Sequence, residues 1–193
     1  MEKLLAASAA IERALHRVAM AAGWLFVACT VVIVFDVITR KFGFQLPGMG
    51  STRLQELEWH LHTALFSFWL GIAYLKNAHV RIDIAVANSG PRTQTWIELL
   101  GVVVFALPYC LIAIYFSYDF TSIAWAWNES SDSATGLPWR WIPKAIITAG
   151  LVLLLVAVVA VAMRLIVYLW GPERLRAASA FAGAKGHHQE GAA

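Results

Sequence analysis

The sequence predicts an all-α integral membrane protein with four transmembrane helices, and composition, hydropathy and segment length lead to this prediction. Of its 193 residues, 60% are hydrophobic and 14% are charged, whereas a typical soluble domain is about half apolar and a quarter charged. The mean hydropathy of +0.64 agrees with a chain that lies mostly in lipid. Four apolar segments also approach the roughly 20 residues that a helix needs to cross a bilayer.

The first 17 residues, MEKLLAASAAIERALHR, precede the first apolar segment. Charged residues interrupt their apolar positions, so the stretch lacks the continuous apolar core of a secretory signal peptide. Leu4, Ile11 and Leu15 fall near one helical face, with Glu12 and Arg13 elsewhere. We therefore expect an amphipathic lead-in that lies on the membrane or extends the first span.

The four predicted spans belong to a single membrane domain over residues 1–170, and they occupy about residues 19–40, 56–76, 96–118 and 144–169. Pro108 is expected to kink the third span, because a proline removes a helical hydrogen bond. Short polar turns rich in Gly, Pro or Ser connect the spans. Residues 171–193 are expected to form a flexible cytoplasmic tail.

The distribution of Lys and Arg predicts the orientation. With four spans, both termini share a side with the middle connection, and this side carries most of the basic residues: Lys3, Arg13, Arg17, Lys76, Arg81, Arg92, Arg164, Arg174, Arg176 and Lys185. The opposite side carries Arg40, Lys41, Arg53, Arg140 and Lys144. Because cytoplasmic segments are enriched in Lys and Arg, both termini are predicted to be cytoplasmic. The tryptophans fit this arrangement, since Trp69 alone falls in the middle of a span.

Polar residues within or beside the spans are the candidate structural or subunit-contact residues: Asp36, Arg40, Glu56, Glu58, His60, His62, His79 and Asp83. The first six, with Asp119, gather toward the external leaflet. Such groups can form an internal network, a subunit contact or a chemical site. We favour an internal network centred on Arg40 with Glu56 or Glu58, because the turn after the first span can bring these charges together.

Metal and haem sites are not predicted. His60 and His62 are two residues apart, so on a helix their side chains diverge by about 200°, and the H-E-x-x-H spacing is missing. The first, third and fourth spans contain no histidine that could supply a second axial haem ligand. Cys29 and Cys110 lie in apolar runs and are interpreted as buried thiols.

An enzyme and a nucleic-acid-binding protein are also not predicted. The sequence contains no P-loop, no G-x-S-x-G and no glycine-rich dinucleotide turn. Its basic residues are spread between apolar runs and form no dense patch. No catalytic, cofactor-binding or metal-binding residue is therefore assigned.

Three stretches follow one another around the spans: VITRKFGF ends the first, QELEWHLHTALFSFWLGIAYLKNAHVRIDI covers the second, and WNESSDSATGLPWRWIPK precedes the fourth. In this order and spacing they resemble the small membrane subunit of tripartite ATP-independent periplasmic (TRAP) transporters, the DctQ-like family. The resemblance covers about residues 20–170. It implies a multi-pass protein of the bacterial inner membrane that is not an enzyme and has no cofactor.

The resemblance also implies partners. In this family a periplasmic binding protein captures an organic acid, and a large membrane subunit carries the substrate and sodium sites. The small subunit packs on the large one, contacts lipid and helps form the surface where the binding protein docks. The residues by themselves leave two other classes open: a b-type cytochrome-like membrane anchor of a respiratory oxidoreductase, and a stand-alone channel or small transporter. The missing internal repeats argue against the latter.

Overall fold

The computed structural model describes residues 1–44, 47–78 and 89–179. Every regular element in these ranges is helical, which confirms the all-α prediction. The helices are α1 (Glu2–Phe42), α2 (Ser51–Leu75), α3 (Pro91–Gly101), α4 (Leu107–Ala126), α5 (Trp141–Trp170) and α6 (Glu173–Ser179). A π-helical turn over Val102–Ala106 joins α3 to α4.

Three helical segments of the described chain are long and apolar enough to cross a membrane. They are α1, the continuous segment Pro91–Ala126, and α5. Helix α2 has 25 residues, which is sufficient length, but the acids and histidines in its first half lower its hydropathy. Hydropathy therefore does not identify α2 as a span, and the prediction of four spans is not confirmed by it.

Helix α1 runs without interruption through the predicted lead-in and the first apolar segment. Its 41 residues give a length of about 60 Å at 1.5 Å per residue. This is about twice the roughly 30 Å thickness of a bilayer's hydrocarbon core. The lead-in was predicted either to lie on the membrane or to extend the first span. In the structure it extends the helix of the first span, and its charged turns precede the apolar segment.

The hydrogen-bond pattern of the third apolar segment changes directly before Pro108. The Leu107 N–H donates to the Val102 carbonyl, which is the wider pairing of a π-helix. A proline has no N–H, and its ring crowds the carbonyl four residues earlier. The irregularity expected at this proline is therefore present as a π-helical turn on its N-terminal side.

The described chain divides into two compact units. The first contains Met1–His16 and the described residues of Gly71–Ile112 and Leu153–Ala193. Its core consists of aliphatic and small side chains: Leu15, Leu75, Leu99, Val102, Cys110, Ala157, Val158, Ala160, Val161, Leu165 and Leu169. Helices α2 and α5 approach closely here, because a Cβ atom on Gly71 would lie 2.8 Å from the Leu153 carbonyl oxygen.

The second unit contains Arg17–Leu70 and Ala113–Val152. Helices α2 and α5 also approach closely in this unit, where a Cβ atom on Gly150 would lie 2.7 Å from the Ser67 carbonyl oxygen. Hydroxyl groups join α4 to α5 through a 2.7 Å contact between Ser117 Oγ and Thr148 Oγ1. Small and hydroxyl-bearing residues are typical of helix contacts in membranes.

Two sequence interpretations find a structural explanation in these units. Cys29 and Cys110 are both free and buried, which confirms the prediction of buried thiols. Trp69, the one tryptophan expected in the middle of a span, donates its indole N–H to the Ala19 carbonyl at 2.9 Å. The bond satisfies the polar atom of a side chain that would otherwise favour the membrane interface.

Candidate functional site

Asp36 and Arg40 form an ion pair one turn apart on α1, near the predicted external end. Arg40 Nη2 lies 2.6 Å from Asp36 Oδ2. The Asp36 side chain is fully buried, whereas half of the Arg40 side chain is exposed. Ser51, the first residue of α2, donates its hydroxyl to Asp36 Oδ1 at 3.0 Å. The buried carboxylate thus fixes the start of α2 beside the last turns of α1.

Glu56 binds the loop between α4 and α5, residues 127–140, which we call the external loop after its predicted side of the membrane. One carboxylate oxygen of Glu56 accepts a hydrogen bond from the Ser131 hydroxyl, and the other accepts the Leu137 N–H. Bonds from a carboxylate to such donors are stronger than those between neutral groups. Both oxygens of this one side chain therefore hold opposite ends of the same seven-residue segment, 131–137.

The ion pair that the structure shows for Arg40 is with Asp36 and not with Glu56 or Glu58, although the Arg40 charge lies close enough to act on Glu58. Arg40 contacts Asp36, and Glu56 contacts the external loop. Glu58 has a buried carboxylate oxygen without a hydrogen-bond partner, and its backbone carbonyl accepts a bond from the Cys29 thiol at 3.7 Å. An acid one turn away on the same helix gives Arg40 a nearer partner than an acid on the next helix does.

Arg53 holds the external loop from a second position on α2. Its Nε donates to the carbonyls of Thr135 at 3.2 Å and Gly136 at 3.3 Å. Its Nη1 donates to the Gly48 carbonyl at 2.6 Å, which lies in the turn before α2. One guanidinium therefore connects two loops, and its planar array of donors suits this task.

Ion pairs close the base of the external loop. Arg140 Nη1 lies 2.9 Å from Asp132 Oδ2, and Lys144 pairs with Glu129. The Lys144 ammonium also lies 3.7 Å from the centre of the Phe120 ring, a favourable cation–π arrangement. The Arg140 N–H donates to the Glu129 carbonyl at 2.8 Å. Backbone and side-chain contacts thus join the two ends of the loop.

The histidines that the structure describes do not assemble into a metal site. Among the residues that the structure describes, no group of three or more His, Cys, Asp or Glu side chains could hold a metal ion. His60 is partly buried, and the His62 ring lies 6.0 Å from the Phe66 ring in a tilted arrangement. The candidates His79 and Asp83 lie outside the described residues.

A second polar cluster lies in the first unit, and sequence reasoning missed it. Arg164 donates to the Ser8 hydroxyl at 2.7 Å and to the Glu12 carboxylate. Lys76 contacts the other oxygen of Glu12 at 2.8 Å. Glu12 was expected away from the apolar face of the lead-in, but its carboxylate joins α1 to α5 and to the end of α2.

The sequence contained one signal for this cluster. Ser8 and Glu12 are four residues apart and so share a helical face, and Arg164 is a charged residue within the most apolar span. Arg164 and Glu12 are 152 positions apart, so a single sequence does not reveal that they pair.

A surface groove of about 520 Å³ lies beside the π-helical turn. It is lined by Tyr74, Glu98, Gly101, Val102, Phe105, Ala106 and Tyr109. The charged residue in this lining is an acid, and Tyr74 and Tyr109 supply its hydroxyl groups. We assign no ligand to this groove.

These features define a class of protein: an all-helical membrane protein whose polar residues join its helices and loops. The sequence matches the family model for the DctQ component of tripartite ATP-independent periplasmic transporters over residues 29–167, well over half of the chain. The chain belongs to this family, and the resemblance seen in its motifs is confirmed. No curated protein and no solved structure matches it significantly.

Membership of the family identifies the general role of the chain. It is the small component of a transporter, and its family is not a family of enzymes. The alternative of a respiratory membrane anchor finds no support. The apolar helices agree with the family in indicating a membrane protein.

Proposed function

We propose that this chain is the small permease subunit of a TRAP transporter in the bacterial inner membrane. It packs on and supports a large membrane subunit, which imports an organic acid with a sodium gradient after a periplasmic binding protein delivers the acid. The family match over residues 29–167 carries this proposal. The paired polar residues agree with a supporting role, because their partners are other parts of the same chain.

The exposed apolar surface of the described helices supports a role inside a membrane complex. Helix α4 exposes large side chains on several faces: Tyr109, Leu111, Ile112, Tyr115, Phe116, Tyr118, Phe120, Ile123 and Trp125. An apolar surface of this extent needs lipid or another membrane protein to cover it. Helix α1 also exposes large apolar residues, among them Phe26 and Val31.

We further propose four spans with both termini in the cytoplasm. Helix α2 is about 37 Å long by its 25 residues, which exceeds the roughly 30 Å hydrocarbon core. Within the second unit, its start binds Asp36 near the end of α1, and Trp69, in its later half, binds the Ala19 carbonyl earlier in α1. These two contacts support an antiparallel α2 that crosses the membrane together with α1.

Co-purification tests the proposal. The tagged chain, expressed with its neighbouring genes and extracted in a mild detergent, should carry with it a much larger multi-span membrane protein that mass spectrometry identifies. The matched control is an unrelated tagged four-helix membrane protein extracted in the same detergent. Recovery of the chain alone, or the Soret absorbance band of a bound haem, would contradict the proposal.

A further inference from the structure

Two side chains of α2, Arg53 and Glu56, contact the external loop. Both oxygens of Glu56 are engaged, by the Ser131 hydroxyl and by the Leu137 N–H. Between these points the segment closes on itself, because the Ser131 N–H donates to the Leu137 carbonyl at 3.1 Å. The segment therefore forms a small closed turn with the Glu56 carboxylate at its base.

The segment is also fitted closely around this carboxylate. A Cβ atom on Gly136 would lie 2.8 Å from Glu56 Oε1, closer than such atoms approach in real proteins. Trp139, shortly after the segment, has a φ of 63°, an unfavourable conformation for a bulky residue. Strained backbone of this kind persists only where surrounding contacts hold it.

The opposite side of the segment faces outward. The Asp132 side chain is 92% exposed even though it pairs with Arg140, and Ala134 is also exposed. Trp127 at the start of the loop is 81% exposed. The loop thus presents polar and aromatic groups in a fixed arrangement, with its support on the inner side.

We infer that Glu56 is a positioning residue: it holds residues 131–137 in the shape that the periplasmic binding protein meets. The inference rests on the proposed function, which places this loop outside the cytoplasm. A loop that is already ordered loses less conformational freedom on docking, so it binds its partner more tightly than a loose loop of the same sequence. Glu56 acts through the loop and does not itself touch the substrate.

A spin label on the loop tests the positioning. Ala134→Cys gives a labelling site, and the native thiols of Cys29 and Cys110 are buried. In the purified complex the label should be immobile with Glu56 present and mobile after Glu56→Ala. Glu58→Gln is the matched control, because Glu58 lies on the same helix and has a buried carboxylate oxygen without a hydrogen-bond partner, whereas both oxygens of Glu56 bind the loop. An immobile label in Glu56→Ala would overturn the inference.

The dependence of uptake on the binding protein tests the functional consequence. In liposomes that contain the complete complex, Glu56→Ala should raise the apparent KM for loaded binding protein about tenfold, a factor that corresponds to roughly 1.4 kcal/mol. The maximal rate and the yield of the complex should stay near wild type. Ser131→Ala removes one of the two bonds and should give a smaller rise, which covers the case in which Glu56→Ala assembles poorly.

The outcomes separate this inference from the proposed function. A wild-type complex that does not respond to the binding protein would overturn both. A responsive wild type whose Glu56→Ala and Ser131→Ala variants keep the same KM would overturn the inference alone. A fall in maximal rate at unchanged KM would also contradict it, because it would indicate a general structural role for Glu56.

Discussion

Asp36 and Arg40 form an ion pair whose two side chains differ strongly in exposure. Asp36 is fully buried, and half of the Arg40 side chain reaches solvent. The two partners therefore differ in what their removal leaves behind. Loss of Asp36 leaves an arginine that can turn toward solvent, whereas loss of Arg40 leaves a buried carboxylate without its counter-charge.

This asymmetry predicts that Arg40→Ala destabilises the protein more than Asp36→Ala. Stranding the buried carboxylate should cost about 3 kcal/mol, and freeing the exposed guanidinium about 1 kcal/mol. The melting temperature of the purified protein measures both changes. Lys41→Ala, at the exposed neighbouring position, is the control and should have little effect. Equal losses for the two variants would contradict the burial difference.

The same residues show what one sequence can and cannot predict about this site. The spacing of four residues placed Asp36 and Arg40 on one face, and the hydropathy placed the external acids near a span boundary. The partners of Glu56 lie 75 and 81 residues further along the chain, in a loop without regular structure. No local pattern encodes such contacts, so the charges were assigned to the wrong partners.

At the scale of elements, the close approach of α2 to α5 depends on glycines at the contact. In the second unit, a Cβ atom on Gly150 would meet both the Cβ and the backbone of Ser67 at less than 3 Å. Backbone atoms cannot move aside as a flexible side chain does. The two helices would have to separate locally, with loss of the packing around them.

We therefore expect Gly150→Ala to lower stability by about 1–3 kcal/mol, the usual cost of overpacking a close contact. Gly101→Ala is the matched control, because a Cβ atom there meets nothing within 4 Å. Alanine is also the better helix former by about 1 kcal/mol, so the control should keep or raise the melting temperature. Similar losses in both variants would show that the contact with Ser67 is not the cause.

The elements were predictable to different degrees for physical reasons. Apolar runs long enough to cross lipid identified α1, the Pro91–Ala126 segment and α5 directly. Helix α2 was also predicted from its apolar segment, but the acids and histidines in its first half keep it below the hydropathy of the other three. The π-helical turn before Pro108 was expected only as a kink, since a proline shows where helical bonding must change but not which pattern replaces it.

At the scale of the whole molecule, the proposed topology places the external loop on one side of the membrane and both termini on the other. Single cysteines at Ala134, Asn88 and Ala184 test this arrangement with a membrane-impermeant thiol reagent on intact spheroplasts. Ala134→Cys should react from outside, and the other two should react only after permeabilisation. External reaction at Asn88 or Ala184 would contradict four spans with cytoplasmic termini.

We propose that this chain supports transport by a partner and does not transport by itself. Uptake of a labelled organic acid into sodium-gradient liposomes tests this role most directly, with the chain alone, the large subunit alone, and both together, each with loaded binding protein. We expect sodium-dependent uptake only when both subunits and the binding protein are present. Robust uptake by the chain alone, or full uptake by the large subunit without it, would contradict a supporting role for the chain.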